Sequence, residues 1–112
     1  MYVAGQKEMQ LMDQYTMEKL GLPGIVLMEN AGAAVVGEVI KDFPNRNTHI
    51  IVLAGGGNNG GDGFVIARRL IDFGYEVMLV LAVAEQHLKG DAKVYYDVYK
   101  NRQLPMVKAE NV

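Results

Sequence analysis

Apolar positions recur along this chain in two rhythms, and the change from one to the other predicts the order of its elements. From Gln6 to Leu20, the residues Met9, Leu11, Met12, Tyr15, Met17 and Leu20 fall at mixed spacings of three and four, which predicts an amphipathic helix. Gly21 suits the carboxyl cap of that helix, and Pro23 opens the next segment. Ile25 to Phe43 predicts a second helix, in which Ala31, Gly32, Ala33 and Ala34 leave a smooth stripe for close packing. Pro44 to Asn47 reads as a loop. His49–Ala54 and Val77–Ala82 are continuous apolar, partly β-branched runs, the pattern of parallel strands covered on both faces. Between them, Gly55 to Gly63 reads as a loop and Phe64 to Phe73 as a helix ended by Gly74. A further helix is expected from Lys89 or Gly90 to Asn101, and Pro105 to Val107 opens a third strand.

Strand alternating with helix implies right-handed βαβ crossovers and a parallel sheet, hence an α/β fold of Rossmann-like type. Two strands and the beginning of a third make a narrow sheet with an edge to hide. The sequence is therefore read as the N-terminal half of a domain that continues beyond Val112. Composition narrows the function. The chain has 112 residues, 50% of them hydrophobic, as in one ordinary globular domain. A net charge of −2 does not favour a nucleic-acid backbone as partner. With no cysteine, thiolate metal sites, disulfides and thiol nucleophiles are excluded within these residues. No apolar run approaches the roughly 20 residues needed to span a bilayer, and residues 1–13 lack the apolar core of a secretion signal. A cytoplasmic protein is expected.

The chemistry concentrates in Gly55-Gly56-Gly57-Asn58-Asn59-Gly60-Gly61-Asp62-Gly63, which holds six glycines, two asparagines and one aspartate in nine positions. Gly55, Gly57 and Gly60 satisfy G-x-G-x-x-G between a strand and a helix. Glycines let a ligand approach the backbone, and the following helix offers it free N–H groups. Two features depart from a standard NAD loop. The acidic residue expected near the end of the second strand is replaced by Val80, Leu81 and Ala82. Asp62 lies inside the loop, where it would repel a phosphate; it suits a hydroxyl, a proton or a cation. Asn58, Asn59 and Asp62 together offer hard oxygen donors of the kind alkali and alkaline-earth ions take.

Other polar residues carry weaker signals. Glu29 and Asn30 interrupt a small, apolar helix and read as structural support for the loop. Arg68 and Arg69 follow it by one to two turns and read as solvated charge, with a phosphate contact as the alternative. His49 and His87 have no ligand partners at metal-binding spacing. The seven methionines and the trio Tyr95, Tyr96 and Tyr99 read mainly as core or interface.

The loop, with Val65 and Ala67-Arg68-Arg69-Leu70 after it, closely resembles the YjeF N-terminal domain, the NAD(P)H-hydrate epimerase family. Gly21-Leu22-Pro23-Gly24 and Leu27-Met28-Glu29-Asn30-Ala31-Gly32 resemble that family's upstream helix motif at the matching spacing. The resemblance covers essentially residues 1–112 and corresponds to the N-terminal part of the family domain. It implies a Rossmann-like three-layer αβα sandwich, often dimeric. It implies interconversion of the R and S forms of hydrated NADH and NADPH (NADHX and NADPHX) in cofactor repair. A fused or separate NAD(P)H-hydrate dehydratase would be the partner, and potassium the bound ion. By the same resemblance Asn58, Asn59, Gly60, Gly61 and Asp62 contact substrate and Asn59 helps hold potassium. Asp62 is the candidate proton-transfer group or hydroxyl anchor, with local loop shaping as its alternative role. The competing reading is a non-catalytic dimerising or binding module of the same fold, as occurs in RNA-turnover scaffolds; the acidic residue favours the enzyme. A generic nucleotide-dependent oxidoreductase is disfavoured by the missing acid after the second strand.

Overall fold

In the computed structural model, residues 21, 23–55 and 60–109 are described. The helix expected over Gln6–Leu20 lies outside them, as do Asn58 and Asn59. Helix α1 spans Gly24–Asp42, and Pro23 precedes it as an extended N-cap with φ −60° and ψ 142°. It leads into strand β1 (His49–Ala54), helix α2 (Gly60–Asp72), strand β2 (Glu76–Leu81), a single 3₁₀ turn (Glu85–His87), helix α3 (Gly90–Asn101) and strand β3 (Met106–Lys108). The strands form a parallel sheet in the order β1-β2-β3, with Ile50 opposite Val77, Val52 opposite Leu79, and Leu79 opposite Met106. This is the α/β architecture expected from the alternating pattern. Gly74, at φ +98°, ends α2 in the left-handed region as the sequence predicted.

Helix α2 lies over β1 and β2, and α1 and α3 pack against it. Its apolar face supplies Phe64, Ile66, Ala67 and Leu70, which meet Ile50, Val52, Val77, Leu79 and Leu81 in one buried cluster. Tyr96 and Tyr99 join that cluster from α3, and Phe64 sets its ring edge-on to Tyr96 at 5.5 Å. The Tyr99 hydroxyl donates to the Pro105 carbonyl at 2.6 Å, so the ring is apolar core while its polar tip ties α3 to the entry of β3. Burial pushes the Tyr99 hydroxyl up to about 12.

Of the boundaries that differ from the sequence reading, two have a clear physical reason. Helix α2 begins at Gly60, not near Phe64, so Gly60, Gly61, Asp62 and Gly63 form its first turn rather than the tail of a loop. Glycine is a poor helix former, and the helical state of this turn is set by its contact with β1. Strand β2 begins at Glu76, because Glu76 pairs in register with His49 and their side chains meet at 2.6 Å. The strands are also not buried on both faces among the described residues. Their side chains alternate between buried and exposed, with Ile51 at 51%, Leu53 at 54% and Met78 at 39% exposure. The described helices form one layer on one face, and these three side chains lie on the other.

The α1–α2 contact is the tightest between helices. A Cβ at Gly32 would stand 2.4 Å from Val65 Cγ1 and 2.8 Å from Val65 Cβ. The smooth stripe of the sequence therefore serves close helix approach. Gly32→Ala is expected to lower stability by about 1–3 kcal/mol through overpacking. Denaturant titration should show much of that loss recovered in Gly32→Ala/Val65→Ala, where the clashing methyls are gone.

Candidate active site

The site forms where β1 ends and α2 begins. Strand β1 carries the chain to Ala54 and Gly55, and α2 starts five residues later at Gly60. The first turn of α2 presses against the strand: a Cβ at Gly63 would lie 3.1 Å from both Ala54 Cβ and the Leu53 carbonyl oxygen, and 3.2 Å from Ala54 Cα. Two of those three atoms belong to the backbone of β1, hydrogen-bonded to β2, and have little room to give. The Ala82 N–H donates to the Ala54 carbonyl at 2.8 Å, which joins the segment after β2 to the same edge. The amino end of α2, with its partial positive charge, thus stands at the carboxyl edge of the sheet. Ligands of open α/β sheets bind at that edge.

Asp62 sits in this first turn with 3% of its surface exposed, and it is the one charged residue in the buried set among the described residues. Its position at the helix amino end favours the carboxylate electrostatically. Of the residues predicted for the site, the structure places Gly60, Gly61 and Asp62 together on one helical turn. Asn58 and Asn59 lie outside the described residues. Among the described residues no group of three or more His, Asp or Glu gathers at metal-binding spacing.

The supporting polar residues behave differently from the sequence reading. Arg68 and Arg69 are not solvated charge. Arg68 Nη2 donates to both Glu29 oxygens at 2.5 and 2.6 Å, and Arg69 Nε donates to Glu29 Oε2 at 2.5 Å. The cluster is mostly buried, with side-chain exposures of 21%, 34% and 25%. Glu29 therefore fastens α1 to α2 just behind the first turn, the supporting role its place suggested. Burial alone would raise the Glu29 carboxyl; the hydrogen bonds and charges of Arg68 and Arg69 outweigh it and hold the group below its ordinary value. The Tyr95 hydroxyl donates to the Ile25 carbonyl at 2.6 Å and ties α3 to the same corner. Asn30 and His87 are exposed, and His49 is held by Glu76.

Sequence reasoning missed a second feature at this edge. Leu81, Ala82, Ala84, Glu85 and Lys108 line a cavity of about 490 Å3 between the segment after β2 and the end of β3. Its only sequence signal was the apolar Val80-Leu81-Ala82 where an acid was expected.

A parallel sheet with a Gly-rich turn and a buried acid at its carboxyl edge defines an α/β protein of open-sheet type. Residues 24–112 match the family described as YjeF-related protein N-terminus, and the chain belongs to that family. It is 40% identical over 93 residues to an NAD(P)H-hydrate epimerase of Pirellula staleyi, covering 83% of this chain and 40% of that protein. It is 38% identical over 102 residues to the bifunctional NAD(P)H-hydrate repair enzyme Nnr of Moorella thermoacetica, covering 89% of this chain and 19% of that protein. The crystal structure of the yeast protein YNL200c superposes with a TM-score of 0.75 at 30% identity, over 97% of this chain and 48% of that one. The chain thus spans less than half the length of each of these relatives.

Two outcomes follow from this geometry. Gly63→Ala should cost about 1–3 kcal/mol, because the new methyl meets backbone that cannot yield; a shift in the denaturant midpoint measures it. Glu29 stabilises the fold above its unfolded pKa, and that contribution disappears as pH falls through its depressed folded value. Acid unfolding of Glu29→Gln should lose this part of the pH dependence while keeping the rest.

Proposed function

We propose that this chain carries the substrate-binding turn of an epimerase that interconverts the R and S forms of hydrated NADH and NADPH. The observation that carries the reading is the buried carboxylate of Asp62 on the glycine-built first turn of α2, at the sheet's carboxyl edge. The names of the relatives support the substrate class. At C6 of the hydrate, a hydroxyl and the ring nitrogen share one carbon. Loss of that hydroxyl as water leaves a cation stabilised by nitrogen, and water returns to either face. Such a reaction needs a group that protonates the departing hydroxyl and later takes a proton back. It needs neither a redox step nor a covalent nucleophile. Asp62 fills this role, and Gly60 and Gly61 let the reduced nicotinamide lie against the turn.

Asn58 and Asn59 join Gly60, Gly61 and Asp62 as substrate contacts in this reading. The side-chain oxygens of Asn58, Asn59 and Asp62 are a hard-donor set that fits potassium, with Asn59 as ligand. The bound ion would supply charge that orients the asparagines and the substrate. A homodimer, and a dehydratase that consumes the S epimer, belong to the same proposal. The test follows conversion of purified (R)-NADHX into its S epimer by chromatography that separates the two. Asp62→Asn keeps the shape and is expected to slow epimerisation by about 100-fold or more. Unchanged rates in Asp62→Asn would remove it as the proton-transfer group, and binding of the hydrate without any epimerisation by the unaltered protein would favour the non-catalytic module.

A further inference from the structure

The contact of Gly63 with β1 fixes where the first turn of α2 lies, but not how the helix is rolled about its own axis. Roll decides where Asp62 points. Residues at i, i+3 and i+7 of a helix lie within about 60° of one another, so Asp62, Val65 and Arg69 form one line about 10 Å long down a single side of α2. Two members of that line are held by α1. Val65 meets Gly32, whose missing side chain lets the two helices touch. Val65 is fully buried yet stands outside the buried cluster around the sheet, so this side of α2 faces α1. Arg69 Nε donates to Glu29 Oε2 at 2.5 Å. Glu29 and Gly32 are three residues apart and share one side of α1.

Glu29 constrains the roll more closely than a single ion pair would. Arg68 Nη2 also donates to both of its oxygens. Arg68 and Arg69 leave α2 about 100° apart, and a carboxylate that holds both accepts only a narrow range of helix rotation. The other ion pair of α2 is of a different kind. Asp72 meets Arg102 at the carboxyl end of the helix, with side-chain exposures of 48% and 43%, and such solvated pairs constrain little.

We propose that Glu29 is a positioning residue for the proton transfer: through Arg69 and Arg68 it sets the roll of α2 and with it the direction of the Asp62 carboxyl. The inference rests on the epimerase reading above and deepens it. Glu29 acts through the helix and does not touch the substrate, so its loss strikes the chemical step and spares binding.

The test measures steady-state epimerisation of (R)-NADHX by the full chain, at a temperature where circular dichroism shows each variant folded. Glu29→Gln should lower kcat about tenfold while KM stays within about twofold. Arg69→Lys keeps the charge but lacks the Nε–H that Glu29 accepts; it should lower kcat in the same way, and it carries the test if Glu29→Gln does not fold. Asp72→Asn should leave both constants unchanged. In NMR, the amide signals of residues 60–63 should shift in Glu29→Gln and stay in place in Asp72→Asn. If Asp62→Asn slows the reaction but Arg69→Lys and every folded Glu29 variant keep the original kcat, the inference fails and the epimerase reading stands. An equal fall in Asp72→Asn would trace the effect to general loosening of α2 and overturn the inference as well. If the unaltered protein does not epimerise the hydrate, or Asp62→Asn keeps its rate, the reading of Asp62 falls and the role of Glu29 with it.

Discussion

The contact between Gly63 and the end of β1 governs this structure. A helix that starts at a strand's carboxyl edge normally keeps a side chain's thickness between them. Here a missing Cβ removes that distance, and the first turn of α2 lies on Ala54 and the Leu53 carbonyl. Three consequences share this cause. The amino end of α2, with its partial positive charge, arrives at the sheet edge. Asp62, the preceding residue, is drawn into burial. The turn is helical although glycines fill three of its four positions, because tertiary contact overrides a propensity cost of roughly 1 kcal/mol per glycine.

The rest of the helix layer holds that turn in place. Gly32 lets α1 approach Val65, and Glu29 locks both arginines of α2 from the same side. Removing one partner of such a half-buried cluster leaves charge without compensation, so its members are expected to be worth more broken than made. Tyr95 and Tyr99 tie α3 by their hydroxyls to α1 and to the entry of β3. The described part of the candidate site is therefore mounted on packed helices and strand ends.

Much of this was legible in the sequence. The limits of β1 and the end of α3 could be read to the residue, and the start of α3 to within one, because HIIVLA and the pattern up to Asn101 sit between clear breakers. The place of the Gly-rich segment between a strand and a helix was legible too. What could not be read was contact between residues far apart in the chain. Arg68 and Arg69 look like surface charge until α1 brings Glu29 from 39 residues away. The run Ile50–Ala54 looks buried throughout, yet only its alternate residues meet the helix layer.

Direct evidence on the central idea, that a glycine-built helix turn holds the reacting ring against a buried acid, would come from an experimental structure with NADPHX bound. The account predicts the hydrated nicotinamide over Gly60–Gly63, its C6 hydroxyl within hydrogen-bonding reach of the Asp62 carboxyl. A bound hydrate whose ring makes no contact with this turn would contradict it.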